Sequence, residues 1–475
     1  MKDFTNGLFK LPSREERIAA RAGAPLNPFK LAMMLSPMQG AMFFSGWLAW
    51  TMDAWDFFSV SLGLTAIGKT LGTPGAPISA STLSTSITLT LLFRPLGAAI
   101  FGLLSDRYGR KWPLVANLII IAALSLGSGK VETLAAFLGV RCLFGIGMGG
   151  IWGMATATAL ENMPAAARGL FSGILQQGYA VGYLLAASVN ISLVPQKGAE
   201  GWRVLFYLGA GLSLFAALVR ALLPESELYL RLKKERAERG NLGGTSKAKT
   251  FVNELGHMLR SHWGRCIFGV LLMTGFNFLS HSSQDLYPTI IQKVKFADLP
   301  AKAPHYASLA TIVANCGAIC GGLIAGYLSQ YLGRRLTIII FVILTGTLIP
   351  AWILPNSFSG LAAGAFFIQF GVQGAWGVVP IYLSEISPPA FRATFAGVAY
   401  QLGNMVSAAS AQIEARGGES LQIPNPLAGE KGQPNTIPDY ATVSGILLGV
   451  VCAYLLLIIV FGREYRGAEF EKVAP

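Results

Sequence analysis

Charge is scarce in this sequence. Aspartate, glutamate, lysine and arginine make up 13% of its 475 residues, against about 25% in an average soluble domain. That shortage excludes an ordinary water-facing surface, and the 53% of hydrophobic residues points to a polytopic membrane protein. Cysteine is scarce as well. Cys142, Cys266, Cys316, Cys320 and Cys452 are scattered, without a disulfide framework or zinc-ligand spacing. Cys316-x-x-x-Cys320 reads as small-residue packing between helices. The basic first 38 residues (Lys2, Lys10, Arg14, Arg17, Arg21, Lys30) are not a short n-region with an apolar h-region behind it, so no cleaved signal peptide is expected. Ser13-Arg14-Glu15-Glu16 there is a candidate capping box. No constellation of catalytic groups supports an enzyme. The net charge of +13 does not call for nucleic acid, because in a membrane protein the question is which loops hold it.

What is present is apolar and periodic. Twelve apolar runs lie at about 40–66, 80–104, 113–129, 134–160, 169–194, 203–223, 264–291, 305–331, 335–354, 359–384, 394–412 and 441–462. Each is near the ~20 residues that span a bilayer, and the 55 glycines suit close helix packing in lipid. Five segments follow: an N-terminal segment 1–38, a six-helix lobe 39–223, a basic central loop 224–263, a second six-helix lobe 264–462 and a tail 463–475. With the N-terminus inside, the segments between runs that carry most lysines and arginines fall on one face. The expectation is therefore that both termini and the central loop are cytoplasmic. The polar stretch 413–440 on the other face is expected to be a loop, and no function is assigned to it.

An internal repeat unites the two halves. Trp152-Gly153 recurs as Trp376-Gly377, Glu161 as Glu385, Pro164 as Pro388, Arg168 as Arg392 and Gly173 as Gly397, always 224 residues on. Gly102, Gly109 and Arg110 map in the same register onto Gly326, Gly333 and Arg334. The expected architecture is all-α, with twelve transmembrane helices in two pseudo-symmetric lobes related by an axis along the membrane normal.

Several polar groups interrupt the runs, where an ionisable residue costs about 2.5–3.5 kcal/mol at the bilayer centre. The richest stretch is 277–289, with Asn277, Ser280, His281, Gln284 and Asp285. At ~100° per residue, Asn277, His281 and Gln284 fall within about 60° of one another, with Asp285 beside them. His281 is the one histidine placed deep in a run; its role is to carry a proton with Asp285, or only to lock this helix to a neighbour. Asp53 and Asp56, at i and i+3, are either proton carriers or structural partners of Arg141 or Arg94. Arg94 offers a fork that fits a carboxylate in two parallel hydrogen bonds, or a salt bridge to Asp53. Gln401 and Asn404 share nearly one face, as do Gln176, Tyr179 and Tyr183. Arg141-Cys-Leu-Phe-Gly145-Ile-Gly147-Met-Gly149-Gly150 imitates a dinucleotide fingerprint, but it lies inside an apolar run with no strand before it.

Two of these patterns carry a resemblance. Gly102-x-x-x-Asp106-Arg107-x-Gly109-Arg110-Lys111 resembles the loop signature of the major facilitator superfamily. Its glycines permit tight turning, and Asp106 is expected to pair with Arg110 or a nearby helix end as a latch. The second copy has Gln330 in place of the aspartate, so its latch is expected to be weaker. Asn277-x-x-Ser280-His281-x-Ser283-Gln284-Asp285-x-x-x-Thr289 resembles the signature of the Jen-type carboxylate:proton symporters of fungi, in the sialate:proton symporter branch of that superfamily. The resemblance covers essentially the whole chain. It implies a substrate-binding arginine at Arg94 and substrate contact for Gln401 and Asn404. The function it implies is proton-coupled symport of small carboxylates such as lactate, pyruvate or acetate across the plasma membrane, by alternating access. The expected partners are the carboxylate, a proton and the bilayer, with no cofactor and a monomeric protein. A dicarboxylate, sialic acid or sugar symporter of the same fold, or a non-transporting nutrient receptor, is the alternative.

Overall fold

The computed structural model describes residues 25–72, 78, 80–227, 229–231, 233, 234, 255–299, 302–388, 391–425, 427, 428, 435–462 and 464. The capping box at Ser13 and most of the basic central loop and tail lie outside the described residues.

After a short α1 (Pro28–Ala32), the chain enters α2 (Pro37–Leu71) through a capping box. The Ser36 hydroxyl accepts from the Gln39 amide at 3.2 Å, and the Gln39 side chain accepts from the Ser36 amide at 3.0 Å. Then come α3 (Ala80–Tyr108), α4 (Lys111–Lys130), α5 (Leu134–Gly149), α6 (Ile151–Leu160), α7 (Arg168–Gln176), α8 (Gly178–Ser192) and α9 (Arg203–Leu222). The second half holds α10 (Trp263–Gln284), α11 (Tyr287–Ile290), α12 (Ala303–Leu332), α13 (Arg334–Ile353), α14 (Phe358–Ile386), α15 (Arg392–Ser407), α16 (Ser410–Ser420) and α17 (Tyr440–Phe461). Among the described residues, nine spans are long and apolar enough to cross a membrane. The three other runs are also helical, as α2, as α7 with α8, and as α15 with α16.

One expectation gains a detail and another needs correction. The run 264–291 lies within a single candidate span, Trp263–Lys295, but its helix is interrupted after Gln284, where α10 ends. Pro288, in the first turn of α11, has no N–H to give the Gln284 carbonyl four residues back, and its ring crowds that carbonyl, so the regular ladder stops there. The stretch 413–440 is not wholly loop. α16 runs to Ser420, and β1 (Gln422–Pro424) pairs antiparallel with β2 (Thr436–Pro438).

The repeat appears in space as two crossings between the halves. In one, α3 and α6 pack on α15; in the other, α12 and α14 pack on α7. A Cβ at Gly153 would lie 3.0 Å from Gly397 Cα, and one at Gly102 would lie 2.8 Å from Thr394 Cα. In the second crossing, a Cβ at Gly173 would lie 2.3 Å from the Gly322 carbonyl, and one at Gly326 would lie 2.7 Å from Gly173 Cα. Small residues let these backbones touch.

Candidate functional site

Where the halves meet there is a cavity of about 410 Å³. The first half contributes Arg94 from α3 and Gln176 from α7; the second contributes Asn277, Ser280, His281 and Gln284 from α10 and Asn404 from α15. Residues as far apart in sequence as Arg94 and Asn404 thus converge on one space.

Arg94 is held by close helix packing. The glycines that follow Arg141 bring α5 against α3: a Cβ at Gly149 would lie 1.9 Å from the Arg94 carbonyl, and one at Gly145 would lie 2.4 Å from that of Thr90. The Arg94 guanidinium is 4.9 Å from the Phe57 ring, and its Nη2 is 2.8 Å from Met148 Sδ. Its Nε has no hydrogen-bond partner, although the residue is only 3% exposed. The alternative role of Arg94, a salt bridge to Asp53, is not formed, and an underused buried fork is left facing the cavity.

Asp53 and Asp56 occupy different settings. Asp56 accepts from Ser125 at 2.7 Å and Ser213 at 3.3 Å, whereas Asp53 Oδ1 has no hydrogen-bond partner. Arg141 bridges to neither. Its guanidinium stacks 4.0 Å from the Phe144 ring, with Nε and Nη1 unpartnered. The Arg141 side chain lies along its own helix α5, over Phe144 three residues on. Neither aspartate lines the cavity.

On α10, His281 Nδ1 lies 3.0 Å from Asp285 Oδ2, and Nε2 lies 3.1 Å from Asn404 Oδ1. Both ring nitrogens thus face side-chain oxygens, and an imidazolium would donate to both at once. The Asp285 side chain is 37% exposed, so the pair reaches from the buried cavity toward accessible space. Asn277 donates to the carbonyls of Met273 and Tyr400, at 2.8 and 3.3 Å. Gln284 donates to Gln369 at 2.8 Å and borders a neighbouring cavity of about 380 Å³. Gln176 accepts from Trp152 at 3.4 Å. Gln401 is not among the lining residues: it sits behind Asn404, accepting from it at 3.3 Å.

Other lining residues were not singled out from sequence. Trp50, Phe57, Leu91, Trp376 and Tyr400 form the apolar wall, and Gln373 adds an amide. Tyr400 stacks on Trp152 with ring centroids 4.7 Å apart. An amide inside an apolar run was a readable signal for Gln373; the aromatic residues look like any core.

At one end of the cavity the halves are latched. Arg110 bonds Asp106 at 2.5 Å and Glu161 at 2.8 and 3.2 Å. The other Asp106 oxygen accepts from the Thr394 amide and hydroxyl at 2.9 and 2.6 Å. It thus reaches the first turn of α15, where a carboxylate is favoured. Arg392 lies 3.6 Å from Glu161. Gly109 and Gly333 take φ of +110° and +100°, as the turns require. Tyr229 donates to the Arg107 carbonyl at 2.9 Å. In the second copy Arg334 bonds Glu385 at 3.0 Å twice and Gln330 at 3.0 Å. Gln330 makes one contact across the halves, to the Ala165 carbonyl at 3.1 Å. Arg168 donates to the Met163 carbonyl at 3.1 Å.

Comparison with known proteins agrees with this architecture. The family described as "Major Facilitator Superfamily" matches residues 35–412. The "Carboxylic acid transporter protein homolog" of Saccharomyces cerevisiae is 32% identical over 449 residues, covering 92% of this chain and 70% of the yeast protein. The "Probable 4-methylmuconolactone transporter" of Cupriavidus pinatubonensis is 26% identical, covering 79% and 83%. The proton:xylose symporter XylE bound to 6-bromo-6-deoxy-D-glucose superposes with a TM-score of 0.69 at 18% identity, covering 92% of this chain and 98% of that one. That likeness concerns the fold alone. With a matching family over most of its length and a relative of this similarity, the chain belongs to the Major Facilitator Superfamily of membrane transporters and is not an enzyme.

Proposed function

We propose that this chain is a proton-coupled symporter of small carboxylates, monocarboxylates such as lactate, pyruvate or acetate among them. It works by alternating access in the plasma membrane, with both termini cytoplasmic. The observation that carries this reading is that the Arg94 fork from one half and the His281–Asn404 pair from the other line one cavity. The carboxylic acid transporter relative supports the substrate class.

The fork holds the carboxylate, which makes the first half the anchor. The amides of the second half receive the remaining polar atoms of the substrate, and the aromatic wall takes its apolar part. His281 carries the proton. As an imidazolium it donates to Asp285 and to Asn404 at once; once neutral, it must give up one of these bonds or turn the amide. Protonation and the fit of the second half around the substrate are coupled in this way. A proton carried with a monocarboxylate removes the electrical cost of moving one charge, about 2.3 kcal/mol per 100 mV.

The test is uptake of labelled acids in a host without its own transporters, at an external pH of about 5 and about 7, on either side of the ordinary histidine range. Uptake of monocarboxylates that rises at the lower pH and alkalinises a weakly buffered medium is expected. Uptake of neutral sugars but no carboxylate overturns the assignment.

A further inference from the structure

Glu414 has no role in the scheme above. It lies on α16, in a stretch to which the sequence reading gave no function. It is fully buried, at 0% exposure, and neither carboxyl oxygen makes a hydrogen bond of good geometry; the donor directed at it is the Ser444 hydroxyl of α17. The hydroxyl of Ser410, one turn earlier on α16, is also buried, and it has no partner. The elements packed against α16 are α10, α17 and β2. From α17, Ser444 faces the carboxyl; from the end of α10, Asp285 acts on it electrostatically. β2 brings no charged side chain. Arg416 and Glu419 of α16 itself are exposed. Among the described groups that act on Glu414 there is no cation.

A carboxylate with no counter-ion, and only a hydroxyl directed at it, is strongly disfavoured away from water, whereas the neutral acid is tolerated. The neighbour that acts on this acid, Asp285, is the partner of His281. We propose that Glu414 is a second proton-binding group of the transport cycle, exchanging its proton with the Asp285–His281 pair; this rests on the symport reading. One proton moves. The O–H bond of Glu414 breaks as an O–H bond forms on Asp285, and the carboxylate left at 414 is met by the hydroxyls of Ser410 and Ser444. His281 keeps its own protons in that step. A merely structural Glu414 would need only its shape and polarity, and glutamine would serve as well.

The experiment uses the full chain reconstituted in vesicles, with labelled lactate as probe and a pH-sensitive dye inside. Glu414→Gln is expected to keep counterflow at the wild-type rate. It is also expected to lose accumulation, down to the level reached without a pH gradient. Wild-type accumulation in Glu414→Gln overturns the role of Glu414 and leaves the symport reading intact. A wild-type protein that moves lactate without protons overturns both. If Glu414→Gln does not fold, Glu414→Asp decides: its shorter carboxyl still titrates, so coupled uptake with a displaced pH midpoint is expected. A wild-type pH profile in Glu414→Asp overturns the proposal.

Discussion

The two halves share a backbone plan and divide the chemistry unequally. Asp53, Asp56, Arg94 and Arg141 of the first half stand at positions that the 224-residue register assigns to Asn277, Ser280, Ala318 and Ala365 in the second. Conversely, His281 and Asn404 correspond to Phe57 and Ala180. In the lining of the cavity the first half therefore places a permanent charge, the Arg94 guanidinium, with one amide, Gln176, while the second places several amides and a titratable imidazole. On the proposed symport reading, the split has a use: the group that binds the anion does not change state with pH, and the group that senses the proton does not hold the anion so firmly that it cannot leave.

Breaking the charged side should have the largest effect. Arg94→Lys keeps the charge and loses the fork. Each charge-assisted hydrogen bond is worth about 1.5–3 kcal/mol, so carboxylate affinity is expected to fall roughly ten- to a hundredfold, with surface expression unchanged. Wild-type affinity in this variant would remove Arg94 from the site. Breaking the titrating side should uncouple rather than unbind. His281→Ala or Asp285→Asn is expected to abolish uphill accumulation while substrate still exchanges, read as counterflow against gradient-driven uptake in vesicles. If His281→Ala still concentrates substrate, the proton travels through the first half, with Asp53 the first candidate, and the division of labour drawn above is wrong.

Much of this was legible before any coordinates. The repeat was readable because Gly102, Gly153, Gly173 and Gly326 sit at helix crossings that admit no Cβ. The polar stripe on α10 was readable because helical spacing gathers Asn277, His281 and Gln284 on one face. Depth and partners were not readable. Spacing alone did not show that Arg141 turns onto Phe144 instead of the aspartates, or that Asp285 caps α10 instead of continuing it. The apolar wall was hidden because Trp50, Phe57 and Tyr400 differ from core residues only in facing a cavity. Glu414 was hidden in a stretch whose prolines and polar residues read as loop.

The latches offer a smaller effect that sharpens the comparison. Asp106 makes two bonds into the other half, and Gln330 makes one, between neutral groups. Asp106→Asn weakens the charged pair of contacts, and hydrogen exchange at the first turn of α15 is expected to quicken by about tenfold, the equivalent of one charged hydrogen bond. Gln330→Asp makes the two halves alike. It is expected to slow turnover several-fold by firming the closed end, with folding unchanged. Equal turnover in Gln330→Asp would mean that the asymmetry of the latches does not set the rate of opening.

The smallest effect is expected behind the cavity, at Gln401, and it tests how the proton is felt. His281 Nε2 lies 3.1 Å from Asn404 Oδ1, and Asn404 Nδ2 donates to Gln401 Oε1 at 3.3 Å. Gln401 Nε2 is left over, buried and unpartnered. This chain of amides has two consistent settings. With a cationic ring, every group points as observed. With a neutral ring that presents Nε2 as an acceptor, Asn404 must turn its NH2 toward the ring, and its oxygen then needs a donor. Gln401 supplies one by turning the spare Nε2 inward. Removing Gln401 leaves the cationic setting nearly intact and strips the neutral setting of one hydrogen bond between uncharged groups, about 0.5–1.5 kcal/mol. Gln401→Ala should therefore fold normally, bind substrate two- to tenfold differently by that measure, and show the difference mainly at high pH, where the neutral ring prevails. Asn404→Ala, which removes the group that touches both the ring and the cavity, should show a larger change at every pH. The comparison is KM for lactate, pyruvate and succinate across pH for both variants. Unchanged constants in both would mean that these amides neither line the site nor read the state of His281. A Gln401→Ala effect equal at low and high pH would leave Gln401 a packing role and remove the two-setting chain.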